Sequence, residues 1–136
     1  MREFLLFGKG FTKVDQWQEG CWINVSDPNQ DDFTYLEEMG VPESFISDIR
    51  DPNERPRVEK DDDWMLTIMR IPRETGDVDI PFSTVPLGVI TNGDLVIVLC
   101  YFINYHNRAA NDFSIDNCFI GDCSICSQRS FNVGFR

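Results

Sequence analysis

The sequence predicts an α+β domain whose sheet is layered between helices, and three stretches carry that prediction. Trp64–Ile71 (WMLTIMRI) offers Trp64, Leu66 and Ile68 on one alternating face and Met65, Thr67, Met69 and Ile71 on the other. Both faces are mostly apolar, which suits a strand covered on both sides rather than one with a wet face. Asn92-Gly93 lies between two β-branched runs and predicts a type I′ hairpin turn, with Val85–Thr91 and Asp94–Tyr101 paired antiparallel. Phe33, Leu36 and Met39, and then Phe45, Ile46 and Ile49, recur at helical spacing.

Taken in order, Glu3–Phe7 reads as a first strand ending at Gly8, and Cys21–Val25 as another. Ser26 or Asp27 then offers an N-cap, with Pro28 at the first helical position and Asp31 and Asp32 in the first turn. Gly40 stops that helix. A second helix is expected from Pro42 to Arg50, ended by the Asp51-Pro52 pair. Asp48 lies roughly 100° from the centre of its apolar stripe, on the flank of the helix. Pro56 forces Arg55 out of helical geometry, so Glu54–Glu59 is expected to be extended. Arg55, Arg57 and Glu59 then share one side and Val58 takes the other. Asp61–Asp63 forms an acidic turn into the two-faced strand. Residues 103–136 show neither period and are read as an irregular tail, separate from a domain over residues 1–102.

The 136 residues suffice for one domain with a core. Twelve Lys and Arg stand against 23 Asp and Glu, a net charge of −11. A surface so acidic repels nucleic-acid phosphates and anionic lipid heads and favours metal cations or basic partners. The longest apolar run, Leu95–Ile103, has nine residues, where a spanning helix needs about 20. This chain is therefore expected not to cross a membrane. The apolar stretch before Gly8 is too short for a signal peptide, so the expected setting is cytoplasmic. The charge breaks sharply along the chain. Residues 1–100 hold 9 basic and 20 acidic residues, and residues 101–136 hold 3 of each and no Leu, Glu or Lys. A shifted reading frame is one physical cause of such a break.

Few constellations point to catalysis, and no enzymatic activity is expected. There is one histidine, no nucleophile elbow, no phosphate-binding loop and no dinucleotide fingerprint. Cys118, Cys123 and Cys126 match the start of an iron–sulfur spacing whose fourth cysteine is missing, and His106 stands in no familiar zinc arrangement. A cysteine-ligated metal protein is thus a minor alternative. Asp61–Asp63 could bind a hard cation, but such a triplet between strands more often forms a solvated turn. Arg55 and Arg57 could clamp a phosphate. With acids crowding both sides, an internal brace is favoured, in which Arg55, Pro56 and Arg57 are structural and neutralise acids such as Asp48, Asp51 or Glu54.

The order Trp22–Val25 (WINV), a helix, Phe45–Ile49 (FISDI), Glu54–Glu59 (ERPRVE), an apolar strand and Thr84–Thr91 (TVPLGVIT) resembles the cytosolic N-terminal domain of CorA-type magnesium transporters. The resemblance covers residues 2 to 102. It implies an α/β/α sandwich with a mixed sheet. It also implies a homopentameric channel for Mg2+ or Co2+ at the cell membrane, gated from its cytoplasmic face by divalent ions bound between subunits. By position Asp48 matches the family aspartate that contributes to this regulatory site, implying weak, regulatory Mg2+ (or Co2+) binding. Ser47 replaces a neighbouring acid. The stalk helix, which supplies the partner acid, the two membrane helices and the Gly-Met-Asn selectivity motif are missing, so the chain is expected to act as a sensor without a pore. A free-standing acidic regulator that docks basic partners is the alternative.

Overall fold

Seven strands form a single mixed sheet in the computed structural model, which describes residues 1–8 and 10–102. The elements are β1 (Arg2–Phe7), β2 (Phe11–Val14), β3 (Cys21–Ser26), α1 (Gln30–Glu38), α2 (Glu43–Arg50), β4 (Arg57–Asp61), β5 (Trp64–Glu74), β6 (Phe82–Asn92) and β7 (Leu95–Cys100). The strand order is β2-β1-β3-β7-β6-β5-β4. Only β3 and β7 run parallel, with Ile23 opposite Ile97; every other neighbouring pair is antiparallel. The class is α+β, as the sequence predicts.

Register explains the core. Phe4, Ile23, Ile97, Ile90 and Leu66 are successive partners across β1, β3, β7, β6 and β5, so they share one face of the sheet. Leu36 of α1 and Phe45, Ile46 and Ile49 of α2 complete the same buried cluster. Both described helices therefore cover that face. Val85, Leu87, Val98 and Cys100 point the other way and are also buried. On that second face Met65 is 42% exposed, and Thr67, Met69 and Ile71 are half-buried.

The start of α1 differs from the expectation. Its N-cap is Asn29, so Pro28 precedes the cap instead of opening the helix. Asn29 Oδ1 accepts from the Asp32 amide at 3.0 Å, and Asp32 Oδ2 accepts from the Asn29 amide at 3.1 Å. This reciprocal box satisfies two donors at once. Ser26 cannot compete, because it ends β3 and its amide donates to the Met1 carbonyl. Asp27 donates its amide to the Cys100 carbonyl. Asp32 also pairs with Arg2, whose guanidinium carbon lies 4.0 Å from the centre of the Tyr35 ring. That contact ties α1 to β1.

Both hairpin turns differ from the expectation, the first in position and the second in length. Asn92 pairs with Leu95, so the turn residues are Gly93 and Asp94, and Thr91 faces Val96 instead of Asp94. Gly93 has φ +56°, while Asp94 is not among the residues of positive φ. That is the pattern of a II′ turn, which places glycine first, rather than of the I′ turn expected. Asp61 likewise pairs with Trp64, leaving Asp62 and Asp63 as the turn, with Asp62 at φ +50°. A strand unforeseen in the sequence, β2, folds back on β1 with Phe7 opposite Phe11.

Candidate functional site

Asp48 projects from the flank of α2 towards β4, where Arg57 and Glu59 occupy the helix-covered side of the sheet. They reach that side because Arg57 is opposite Ile68 and Glu59 opposite Leu66, both core residues. Val58, between them, points outward and is 66% exposed. The alternation derived for Glu54–Glu59 places these groups, and docking of α2 brings the helix carboxylate to meet them.

Arg57 serves three carboxylates. Its Nη2 donates to Asp48 Oδ2 at 2.6 Å and lies 3.1 Å from Glu59 Oε2. Its Nε donates to Glu59 Oε2 at 3.1 Å, and its Nη1 donates to Glu54 Oε1. One guanidinium against three acids leaves a local charge of −2 when all are ionised. The partners respond in opposite senses. Burial, reinforced by Glu54 and Glu59, raises the Asp48 carboxyl above its usual range despite the attraction of Arg57. Burial works against the Arg57 charge, but the Glu59 hydrogen bond and the surrounding acids outweigh it and hold the guanidinium more firmly protonated. Burial leads the rise at Asp48, whereas the three acids around one cation account for the rise at Arg57. For Asp48 the linkage runs opposite to that of a simple salt bridge. Its pKa is higher folded than unfolded, so its contribution to stability is full below the ordinary aspartate range and is lost as pH rises through the raised value.

Arg55 does not join this group. It is exposed, and among the described residues its guanidinium makes no ion pair. Pro56 is exposed beside it, immediately before β4 begins. The second tether is Arg70, which the sequence reading missed. Its Nη1 donates to the carbonyls of Pro52 and Glu54 at 3.0 and 2.8 Å, and its Nε and Nη2 donate to Thr84 Oγ1 and the Thr84 carbonyl at 2.9 and 2.6 Å. The loop after α2 is thereby fastened to β5 and β6. The available signal was parity: Arg70 shares the face of Leu66 and Ile68, where a lone charge requires partners.

These two arginines make separable predictions. Arg57→Ala should lower stability by about 1–2 kcal/mol by leaving clustered acids unpaired. Arg55→Ala should change it by no more than about 0.5 kcal/mol. Urea denaturation midpoints of the two variants check this, and equal shifts would remove the distinction.

As a donor set, Asp48, Glu54 and Glu59 supply hard carboxylate oxygens, the chemistry that Mg2+ prefers. Among the described residues, no three His, Cys, Asp or Glu side chains come close enough together to hold a metal ion by themselves. A cation at Asp48 therefore needs water or further donors to complete its coordination. The described cysteines, Cys21 and Cys100, are free and buried. Cys118, Cys123, Cys126 and His106, with the expected irregular tail, lie outside the described residues.

The family model described as CorA-like Mg2+ transporter protein matches residues 17–100. The chain belongs to the CorA family. The CorA magnesium transporter of Methanocaldococcus jannaschii shares its fold, with a TM-score of 0.58 and 24% identity over 72% of this chain and 31% of that one. The soluble domain of the same CorA gives a TM-score of 0.55 at 24% identity, covering 71% of this chain and 38% of that chain. The cytoplasmic domain of ZntB from Vibrio parahaemolyticus gives 0.57 at 18% identity, covering 75% and 44%. At these identities the likeness is one of fold, and the mixed sheet with its two helices is the CorA soluble-domain fold. The chain spans less than half the length of each of these three relatives. No match was found among curated proteins.

Proposed function

We propose that this chain is the cytosolic sensor part of a CorA-like divalent-cation transport protein, in which Asp48 is a ligand of a weak, regulatory Mg2+ or Co2+ site. The family match over residues 17–100 carries this reading. The acidic group around Asp48 supports it, because three carboxylates sharing one guanidinium still attract positive charge. Among the described residues no helix is long and apolar enough to cross a membrane, so ion conduction belongs to segments other than this domain. In the full assembly, the domain sits at the cytoplasmic face of the membrane, in a homopentamer held together by stalk and membrane helices. Cation binding between neighbouring copies then regulates transport. The work of the domain is recognition, with no covalent chemistry.

The test is direct titration of the chain with Mg2+ by calorimetry. Binding should be weak, with Kd on the order of millimolar, because few carboxylates with waters make a loose site. Asp48→Asn should weaken it at least ~5-fold with the thermal transition retained, since Asp48 flanks the buried stripe. Equal binding by both proteins would show that Asp48 is not a ligand.

A further inference from the structure

We propose that Arg57 is an internal competitor for the Asp48 cation site, a tethered positive charge that a divalent ion must displace and that monovalent ions cannot. This rests on the reading of Asp48 as a cation ligand and adds the residue that sets its threshold and selectivity.

The guanidinium contacts divide the labour. Asp48 is held through Nη2 alone, while Glu54 is held through Nη1 and Glu59 through Nε as well as Nη2. Releasing Asp48 thus costs Arg57 one partner and leaves it two, so the exchange does not strand a charge. The Asp48 and Arg57 side chains are 30% and 33% exposed, open enough for a hydrated ion to approach without unfolding. A divalent ion brings twice the charge of the guanidinium to Asp48 and gains correspondingly more from the carboxylate. Sodium or potassium brings an equal charge without the guanidinium's directed hydrogen bonds, and gains nothing by the exchange. With three carboxylates against one guanidinium, the −2 balance leaves the cluster short of positive charge even with Arg57 in place. A stronger cation therefore has something to gain there.

The experiment compares the full chain with Arg57→Gln, Arg57→Lys and Asp48→Asn by Mg2+ calorimetry at fixed ionic strength. Thermal unfolding of each variant confirms that it is folded. Arg57→Gln should tighten Mg2+ binding about tenfold and make it newly sensitive to Na+, while Arg57→Lys, which keeps the charge, stays within about threefold of the parent. If Asp48→Asn weakens binding but Arg57→Gln does not tighten it, the competitor role is wrong and the Asp48 site stands. If Asp48→Asn changes nothing, the site itself is wrong and the competitor role falls with it. Equal tightening by the Gln and Lys variants also overturns the proposal, because charge would not be the cause. A measurement on the unaltered chain guards against variants that fail to fold. During Mg2+ titration the Asp48 carboxyl 13C resonance and the Arg57 guanidinium 15N resonances should move together. Movement of the carboxyl with an unmoved guanidinium would sink the proposal.

Discussion

Phe45→Ala is expected to cost about 3–5 kcal/mol, the largest loss from any single truncation in this domain. Phe45 is fully buried and is the largest side chain so enclosed among the described residues. It joins α2 to a cluster drawn from both helices and from β3, β5, β6 and β7. Removing the ring forfeits its burial and leaves a cavity that α2 cannot close, because α2 is also held by Arg57 through Asp48 and by Tyr101, whose hydroxyl donates to the Ile46 carbonyl at 3.3 Å. Burial pushes the Tyr101 hydroxyl up to about 12, so it remains a donor throughout the neutral range. With total stability of about 5–15 kcal/mol usual for a domain, such a loss brings the chain close to unfolding. Urea denaturation measures it directly. A loss under about 1 kcal/mol would mean that α2 does not pack on the sheet as described.

Gly88→Ala is the second large effect, expected at about 2–3 kcal/mol. A methyl group at Gly88 would overlap Cδ1 and Cγ1 of Ile49, and Leu66 Cδ1 would sit 3.4 Å from it. Glycine is required here for close approach of helix to strand, since its φ is unexceptional and only space is at stake. The cause can be isolated. Ile49→Val shortens the obstructing side chain, so Gly88→Ala combined with Ile49→Val should be more stable than the sum of the single effects predicts. Strict additivity would locate the strain elsewhere.

Much of this was legible in the sequence because the signals were local. Alternation marked β5, β-branched runs on either side of Asn92-Gly93 marked β6 and β7, and the spacings of Phe33, Leu36 and Met39 and of Phe45, Ile46 and Ile49 marked α1 and α2. Gly40 at φ +82° ends α1 as its position suggested. The strands nevertheless run further than expected, β5 past Ile71 to Glu74 and β6 from Phe82 instead of Val85, and each contains a proline, Pro72 and Pro86. At Pro72, β5 has passed the end of its β4 partner, and at Pro86, β6 has not yet met β7. Each proline therefore sits where one edge of its strand is unpaired, the place a missing amide is tolerated.

The site was legible only in part. The sequence by itself determined that Asp48 stands on a helix flank, and that Arg57 and Glu59 share one side of an extended segment opposite Val58. Those facts follow from bond geometry repeated along a short stretch of chain. Tertiary structure alone decided that Arg57 is the residue Asp48 meets, that Arg55 is left in solvent, and that Arg70 fastens the loop between them. It also decided that β3 and β7, over 60 residues apart in the chain by number, run parallel at the centre of the sheet. Which acids share a guanidinium depends on where α2 docks, and the docking is fixed by Ile49 over Gly88. Hydrophobic contact between distant segments sets that position, and the charges take the partners it leaves within reach.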